Sequence, residues 1–420
     1  MRATKFARMA DRDMIKTEVA IAGGGMVGLT LGLALARAGI ETTVIDQLPP
    51  HAVVDAKFDG RVSAIAHASC RMLKVLGLWP QLGPVAQPIL DIMVTDGSLR
   101  NGASSALLHF DHRDIGSEPL GHLIENRHFR LALQAALDRT PTLSLIAPQR
   151  VVSAQPGPAA TAITLGDGRK IEAALCIAAD GRDSPLRQAA NIKTIGWSYP
   201  QTGIVATIAH ERDHNGVAHE LFLPSGPFAI LPMTGKRSSI VWTERTDLAP
   251  AFLKMGDEAF AAEVAKRFGN QWGWTRPEGP RWSYQLSLHL ALSYTAPRLA
   301  LAGDAAHGIH PIAGQGLNLG LRDVAALAEV LVEAKRLGLD IGSPAVLARY
   351  QGWRRFDNVL LAASTDVLNR LFSNGFAPLA LARRFGLDLV DSLPPLKKLF
   401  MRHAGGAVGE LPKLLRGETL

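Results

Sequence analysis

The sequence predicts an α/β protein in which a Rossmann-like nucleotide-binding domain carries an inserted, mainly antiparallel β-sheet domain and a C-terminal helical tail. Three observations lead to this prediction. A glycine-rich turn follows an apolar run near the N-terminus, strand-like runs alternate with Pro, Gly and Ser breaks across residues 199–243, and a helical periodicity begins near Trp353. With 420 residues the chain is long for a single core, so more than one domain is expected.

Composition narrows the class of protein. The formal net charge is +7, yet the chain has no zinc finger, no helix-turn-helix and no interleaved Lys and aromatic residues, so no nucleic-acid partner is expected. The two cysteines, Cys70 and Cys176, lack the spacing of a disulfide framework, a zinc site or a redox pair. A reducing, cytoplasmic setting is therefore expected, and the N-terminus has no apolar core of a secretory signal.

An uncharged run at residues 19–36 approaches the length of a transmembrane helix. The run contains five glycines within a nucleotide-binding pattern. A strand, a tight turn and a buried helix explain it better than a membrane span, so we predict no transmembrane segment.

The first predicted unit is β-α-β. Residues 17–22 form a short apolar strand, residues 26–38 continue without a helix breaker, and Gly39 follows as a helix C-cap. A second β-rich run covers residues 41–46 and ends in an acid.

Gly23, Gly25 and Gly28 fit the pattern G-x-G-x-x-G between this strand and helix. The first glycine permits a tight turn, the second lets the backbone approach a pyrophosphate, and the third allows close packing of helix and strand. Asp46 follows at the offset of an acid that binds ribose hydroxyls. These features predict dinucleotide binding; the alternative is a glycine-rich seam between packed elements.

Later runs complete the outline. Residues 161–181 predict two strands joined at Asp167-Gly168, the second ending at Asp180-Gly181. Residues 199–243 predict a separate antiparallel sheet, residues 298–303 a buried strand, and residues 315–335 a helix. Beyond them the tail is helical, with one apolar face at Trp353, Phe356, Leu360, Ala363, Val367 and Leu371. From Arg370 to the end, Lys and Arg exceed Asp and Glu by 8 − 4 = 4.

Two further motifs distinguish between nicotinamide and flavin cofactors. Asp180-Gly181 is followed by Arg182, and Gly303-Asp304 leads through a Pro/Gly loop into a helix. With G-x-G-x-x-G, these motifs and their order resemble the p-hydroxybenzoate-hydroxylase-like FAD-dependent aromatic monooxygenases. The segments HPIAGQGLNLGLRD and SLPPLKKLFMRHAGG, together with Arg61 and the run GPFAILPM, are similar to the ubiquinone-biosynthesis hydroxylase branch of that family (UbiH-type).

The resemblance implies a set of FAD contacts. Asp304, after Gly303, would accept hydrogen bonds from ribityl or ribose hydroxyls, and Pro311 would lie against the isoalloxazine. Backbone N–H groups at the start of the following helix would face the flavin pyrimidine end; they belong to Gly314, Gly316, Leu317 and Asn318. Arg61 and Arg127 would reach the cofactor phosphates and line the same groove, and Asp180-Gly181 would serve both FAD and NAD(P)H. A plain turn acid at Asp180 and a surface ion pair at Arg61 remain alternatives.

The resemblance also implies the reaction. NADH or NADPH, as a transient co-substrate, reduces FAD, O₂ adds to give a C4a-hydroperoxide, and the distal oxygen passes to an aromatic ring, here a polyprenylated phenol of ubiquinone biosynthesis. Candidates at the flavin edge are His310, Pro311 and Gln315, and the residues do not identify a general base. Weak candidates to line the substrate pocket are Tyr199, His219, Phe228 and Leu231. The implied domains are FAD-binding (14–90, 120–197 and 295–345), β-sheet (91–119 and 198–294) and C-terminal helices (346–420).

Several alternatives stay open. In the first alternative, the substrate is a soluble aromatic acid. In the second, the protein is a flavin-dependent halogenase; Trp272-Gly273-Trp274 resembles a motif of that class, but Arg276 replaces the isoleucine of the motif. A third is a non-catalytic FAD-binding scaffold of a biosynthetic complex. A metal site at Asp304, His307 and His310 lacks regular ligand spacing, so no metal is expected. The basic, apolar tail predicts peripheral contact with the inner face of a membrane and with other ubiquinone-biosynthesis proteins.

Overall fold

The structure is a computed structural model that describes residues 14–50, 58–98, 102–310, 314–372 and 410–420. Its strands are β1 (Met14–Ala22), β2 (Thr42–Ile45), β3 (Val62–Ala66), β4 (Gln87–Ile89), β5 (Asp91–Ser98), β6 (Gly102–Asp111), β7 (Gly121–Glu125), β8 (Leu143–Ile146), β9 (Val151–Pro156), β10 (Thr161–Leu165), β11 (Lys170–Ala178), β12 (Thr194–His210), β13 (Val217–Leu223), β14 (Gly226–Met233), β15 (Arg237–Arg245), β16 (Thr275–Ala291), β17 (Thr295–Ala296), β18 (Leu299–Leu301) and β19 (His307–Gly308). Its α-helices are α1 (Met26–Arg37), α2 (His67–Val75), α3 (Trp79–Leu82), α4 (Asn126–Leu137), α5 (Pro185–Ala189), α6 (Ala249–Leu253), α7 (Asp257–Phe268), α8 (Gln315–Arg336), α9 (Pro344–Phe372) and α10 (Lys413–Arg416).

The first sheet has a parallel centre in the order β18-β11-β1-β2-β8. The hairpin β9–β10 and the short β17 add antiparallel edges. Helices α1 and α8 are apolar over most of their length and pack together, so they bury the uncharged run at residues 19–36. This is the interior that the β-α-β pattern predicts.

The second sheet has the order β19-β16-β12-β15-β14-β13-β5-β6. Its pairs are antiparallel except β13 with β5. The four apolar runs of residues 199–243 become β12 to β15, which confirms the predicted antiparallel sheet. Helices α6 and α7 cover one face of it through the buried cluster of Trp242, Phe228 and Phe260. A third, three-stranded sheet (β3-β7-β4) completes the mixed α/β fold class that was expected.

The pairing of β5 with β13 puts residues 91–98 in the same sheet as residues 194–291. This supports grouping 91–119 with 198–294 in one domain, which stays a proposal together with the other domain boundaries.

The C-terminal region begins with two long helices. Helix α8 confirms the predicted segment 315–335 to within one residue, and α9 confirms the periodicity that starts near Trp353. The apolar face of α9 points outward, because Phe356 is 76% and Val367 59% exposed. Its buried side carries Val346, Leu347 and Tyr350 in the first turns, and the polar or small residues Arg354, Asn358 and Ala362 further along. The predicted segment 392–406 lies outside the described residues.

In the described ranges, no helix combines the length and apolar character needed to cross a membrane.

Candidate functional site

A cavity of about 1220 Å³ is lined by the loops of the first sheet and by one face of the second. Small-molecule pockets typically measure ~300–1,000 Å³, so this one has room for a large ligand or for two ligands together. The β1–α1 turn, β3, the loop after β11, the loop after β18 and the start of α8 line one side. Strands β13 to β16 line the opposite side, with residues of β5 and β6.

The three motif glycines occupy different steric environments. Gly23 has a φ of +105°, and a methyl group there would overlap the carbonyl oxygen of Ala179. A methyl group at Gly28 would overlap the carbonyl oxygen of Gly23, so strand and helix touch at this point. Gly25 lines the cavity, and a methyl group there would meet no atom within 4 Å. The turn therefore offers open backbone at the N-terminus of α1, which favours an anion.

Asp46 lies at the end of β2, next to this turn. Its carboxylate accepts a hydrogen bond from Gly24 N at 2.5 Å and another from Leu48 N at 2.7 Å. It does not belong to the cavity lining, and its contact with a ribose stays a prediction.

The two predicted phosphate-groove arginines are held by neighbours. Arg61 lines the cavity, pairs with Asp59 at 2.6 Å and lies 5.2 Å from the ring centroid of Trp282. Arg127 lies outside the lining and donates to Glu125 at 2.7 Å. Arg61 thus forms the ion pair that was considered as an alternative, at the edge of the cavity. Contact of Arg61 and Arg127 with the cofactor phosphates stays a prediction.

The loop after β11 places a buried carboxyl behind the cavity wall. Asp180 Oδ1 has no hydrogen-bond partner among the described residues, and burial raises the pKa of this carboxyl. Gly181, with a φ of +89°, and Arg182 line the cavity beside it. The Arg182 guanidinium donates to Ser287 Oγ at 2.5 Å across to the second sheet. A buried oxygen without a donor fits a ligand hydroxyl or amide that would supply one.

The loop after β18 is fixed from behind. Gly303 N donates to Asp323 Oδ2 at 3.0 Å, which leaves Asp304 exposed to the cavity. Burial alone would raise the pKa of Asp323, but His307 at 2.6 Å and Arg354 at 2.9 Å lower it to about 2. His307 is therefore hydrogen-bonded to Asp323 inside the core. Within the described ranges no group of three His, Cys, Asp or Glu side chains is placed to hold a metal.

The start of α8 brings five predicted residues to the cavity, namely Gly314, Gln315, Gly316, Leu317 and Asn318. Both polar atoms of the Asn318 side chain have hydrogen-bond partners: Oδ1 accepts from Ala66 N at 2.8 Å, and Nδ2 donates to Ala64 O at 2.8 Å. Its side chain thus ties β3 to α8, and the backbone contact with flavin stays a prediction.

The residues predicted at the flavin edge have different positions, and of the three only Gln315 is seen to line the cavity. Pro311 lies outside the described residues. His310 is buried outside the cavity lining, with its ring 5.2 Å from that of Tyr199, and burial lowers its pKa to about 4. Among the described residues neither of its ring nitrogens has a hydrogen-bond partner.

Of the four substrate-pocket candidates, Leu231 lines the cavity, whereas His219 borders it with its ring turned to the opposite face of the sheet, 5.6 Å from the ring of Trp272. Phe228 packs against Trp242 on the opposite face of the sheet, since successive strand residues alternate between faces. Tyr199 donates to Asp366 Oδ1 at 2.7 Å and lies in a separate buried cluster.

Several polar residues of the cavity were missed by sequence reasoning. Glu220 and Ser239 are among them, and burial raises the pKa of Glu220 to about 8. Alternation along the run VAHELFL could have placed Ala218, Glu220 and Phe222 on one face of the strand. Which face points at the ligand depends on how the sheet packs, and the run does not contain that information.

The whole arrangement fits FAD. Open backbone lies at Gly25 and Gly316, a carboxylate at Asp304, and an unpartnered buried oxygen at Asp180. These groups lie on three separate loops around one cavity, as an elongated dinucleotide requires.

Comparisons with known proteins agree with this geometry. The family model described as FAD binding domain matches residues 16–355. The chain is 52% identical to ubiquinone hydroxylase UbiL of Rhodospirillum rubrum, over 96% of this chain and 93% of that protein. It is 36% identical to 3-demethoxyubiquinol 3-hydroxylase of Escherichia coli, over 93% and 98%. The crystal structure of p-nitrophenol 4-monooxygenase PnpA from Pseudomonas putida has the same fold, with a TM-score of 0.76 at 18% identity, covering 94% of this chain and 100% of that one.

Proposed function

This chain belongs to the FAD-dependent ubiquinone hydroxylases, and on that premise we propose that it hydroxylates a phenol ring that carries a polyprenyl chain. The observation that carries the proposal is the continuity of the cavity. Its flavin-facing side continues into an apolar arm formed by Ile92, Val94, Leu108, Phe110, Phe222 and Leu371.

The apolar arm suits a hydrocarbon chain. Burying apolar surface contributes about 25 cal/mol per Å², so each isoprene unit that enters the arm adds affinity without a polar contact. Leu108 and Phe222 are buried and in contact with Val94 and Phe110, and together they exclude water beside the ring site.

When bound, FAD takes a hydride from NAD(P)H and activates O₂ for transfer of one oxygen atom to the ring. The residues of this chain bind the cofactor, orient the substrate ring and enclose both. The turn at Gly25 would hold the pyrophosphate of the cofactor and the start of α8 its flavin end, and the cavity face of the second sheet would hold the substrate ring against the flavin.

A soluble aromatic acid is disfavoured because its carboxylate would be buried beside apolar side chains. Among the described residues, the cations Arg61 and Arg182 that line the cavity already pair with Asp59 and Ser287. A halogenase is disfavoured by position. Trp272 is buried against Phe268 and away from the cavity, so the Trp-Gly-Trp segment does not line the ligand site.

The proposal is tested with purified protein, NADPH and a series of phenols whose prenyl chains lengthen by one unit at a time. Product carrying one oxygen-18 atom from labelled O₂ is expected, with KM falling as the chain lengthens and kcat changing little. Equal KM values for tailed and untailed phenols would remove the prenylated-substrate proposal. Oxygen uptake without a hydroxylated product from any of them would remove the hydroxylase proposal.

Peripheral membrane contact is also proposed, because a prenylated substrate resides in the bilayer. The outward face of α9 is apolar at Phe356, Val359, Leu360 and Val367, and the chain carries a net charge of +7. Apolar side chains on an exposed helix, together with positive charge, favour an anionic membrane surface.

A further inference from the structure

Glu220 lies in the middle of the sheet face that borders the cavity. On β13 it pairs with Ala229 of β14 and with Val94 of β5. Ala218 and Phe222, two residues away on the same strand, line the cavity with it. The carboxyl therefore lies among apolar side chains on the cavity face of the sheet.

Among the described residues, no hydrogen bond or ion pair to the Glu220 side chain is found, unlike acids on other strands of the molecule. Glu244 accepts from Trp242 Nε1 at 3.3 Å, Glu125 pairs with Arg127 at 2.7 Å, and Asp91 pairs with His109 at 2.7 Å. Placing a carboxyl in an apolar cavity without a partner costs free energy. Such a cost is characteristic of groups that act on a ligand.

None of the charged side chains described around the cavity forms an ion pair with Glu220. Titratable or charged residues that line the same cavity are Tyr284, Arg61, Arg182 and Asp304, and His219 borders it with its ring packed on Trp272 on the other face of the sheet.

Burial lowers the pKa of His219 to about 4, so it is neutral at neutral pH. On the adjoining elements, β14 contributes no titratable side chain, and Asp366 of α9 accepts from Tyr199 at 2.7 Å and pairs with Arg370 at 2.9 Å.

We propose that Glu220 accepts a hydrogen bond from the hydroxyl of the substrate ring and takes its proton during hydroxylation. The inference rests on the proposed function and identifies the general base of that same site.

In this step the substrate O–H bond breaks, the proton passes to a Glu220 carboxylate oxygen, and the electron pair stays on the ring oxygen. The phenolate so formed pushes electron density to the ring carbons beside and opposite that oxygen, where the electrophilic oxygen atom is accepted. The hydroxylated ring releases its C–H proton to water and becomes aromatic again, and Glu220 gives its proton back to the product oxygen. The base is thereby regenerated.

The environment of the carboxyl suits this role. Burial raises the pKa of Glu220 to about 8, which makes its carboxylate a stronger base than an ordinary exposed one. Below that pKa the group is protonated and cannot accept the substrate proton. Activity that depends on it must therefore rise with pH and level off above the pKa.

The first test is the pH profile of kcat/KM for the wild type and for Glu220→Gln and Glu220→Asp. Wild-type activity is expected to rise roughly tenfold per pH unit below the pKa and to reach a plateau. Glu220→Gln should lose that limb and about 100-fold of the plateau rate, whereas Glu220→Asp keeps the limb at a lower rate. Glu258→Gln, an exposed substitution of the same chemistry on α7, should match the wild type. Flavin absorbance of each variant reports its fold.

The second test varies the acidity of the substrate. Ring fluorination lowers the pKa of a tailed phenol, and a phenol that is already ionised needs no base. The ratio of wild-type to Glu220→Gln rates should therefore shrink as the substrate pKa falls, while a structural role would leave it constant.

A constant ratio with an unchanged pH limb in Glu220→Gln would overturn the assignment of Glu220 and leave the proposed function intact. Absence of hydroxylated product from the wild type itself would overturn both.

Discussion

Gly25 and Gly28 belong to one sequence motif, yet an added methyl group has opposite consequences at the two positions. At Gly28 it would overlap the Gly23 carbonyl oxygen, where α1 touches β1. At Gly25 it would project into the cavity and meet no protein atom within 4 Å. One glycine therefore serves the fold and the other serves the ligand.

Gly28→Ala is expected to destabilise the protein by about 3 kcal/mol or more, because rigid backbone must move apart. Gly25→Ala should leave the free energy of unfolding within about 1 kcal/mol of the wild type and weaken FAD binding at least tenfold, because the methyl group takes the space of the pyrophosphate. Chemical denaturation of the flavin-free proteins and titration with FAD separate the two effects. Equal loss of stability in both variants would contradict this division.

The steric roles of these glycines could be predicted from the sequence, since the motif is local and each role follows from backbone geometry. Glu220 could not, because its neighbours Val94 and Ala229 come from different parts of the chain. The residue next to it, His219, drew attention by type, although its pKa of about 4 leaves it uncharged.

At the scale of an element, helix α9 shows that an apolar periodicity predicts a helix but not which face of the helix is buried. Apolar residues at three- and four-residue steps predicted a helix, and α9 confirms it. The stripe lies outward at Phe356, Leu360 and Val367, because the inner side of the helix is fixed by polar contacts such as Arg354 with Asp323 at 2.9 Å. Burial of a face depends on the partner surface, which a helical pattern does not specify.

The outward face of α9 predicts membrane binding that depends on it. Phe356→Ser with Val367→Ser should weaken binding to vesicles of phosphatidylcholine and phosphatidylglycerol about 30-fold in a co-sedimentation assay, because each of the two exposed apolar side chains contributes on the order of 1 kcal/mol on insertion.

Leu337→Ser is the matched control, since Leu337 is 72% exposed at the end of α8, on another helix. Unchanged sedimentation of the double variant, or an equal loss with Leu337→Ser, would count against α9 as the contact.

At the scale of the whole molecule, the cavity exists because two sheets with different architectures face each other. The parallel sheet could be predicted because its β-α-β unit is contiguous in sequence, and the antiparallel sheet because its strands follow one another. The apolar arm required β5 and β6 to join β13 from more than a hundred residues away. That pairing joins distant parts of the chain, and no sequence motif predicts it.

The central claim is that one FAD molecule lies extended across three separate loops. Titration of the flavin-free protein with FAD and with FMN, followed by quenching of tryptophan fluorescence, tests it directly because Trp282 lines the cavity. We predict one FAD bound per chain, and FMN bound roughly 100-fold more weakly, because FMN lacks the adenosine half that the β1–α1 turn would hold. No saturable binding of FAD, or equal affinity for FMN and FAD, would contradict the account.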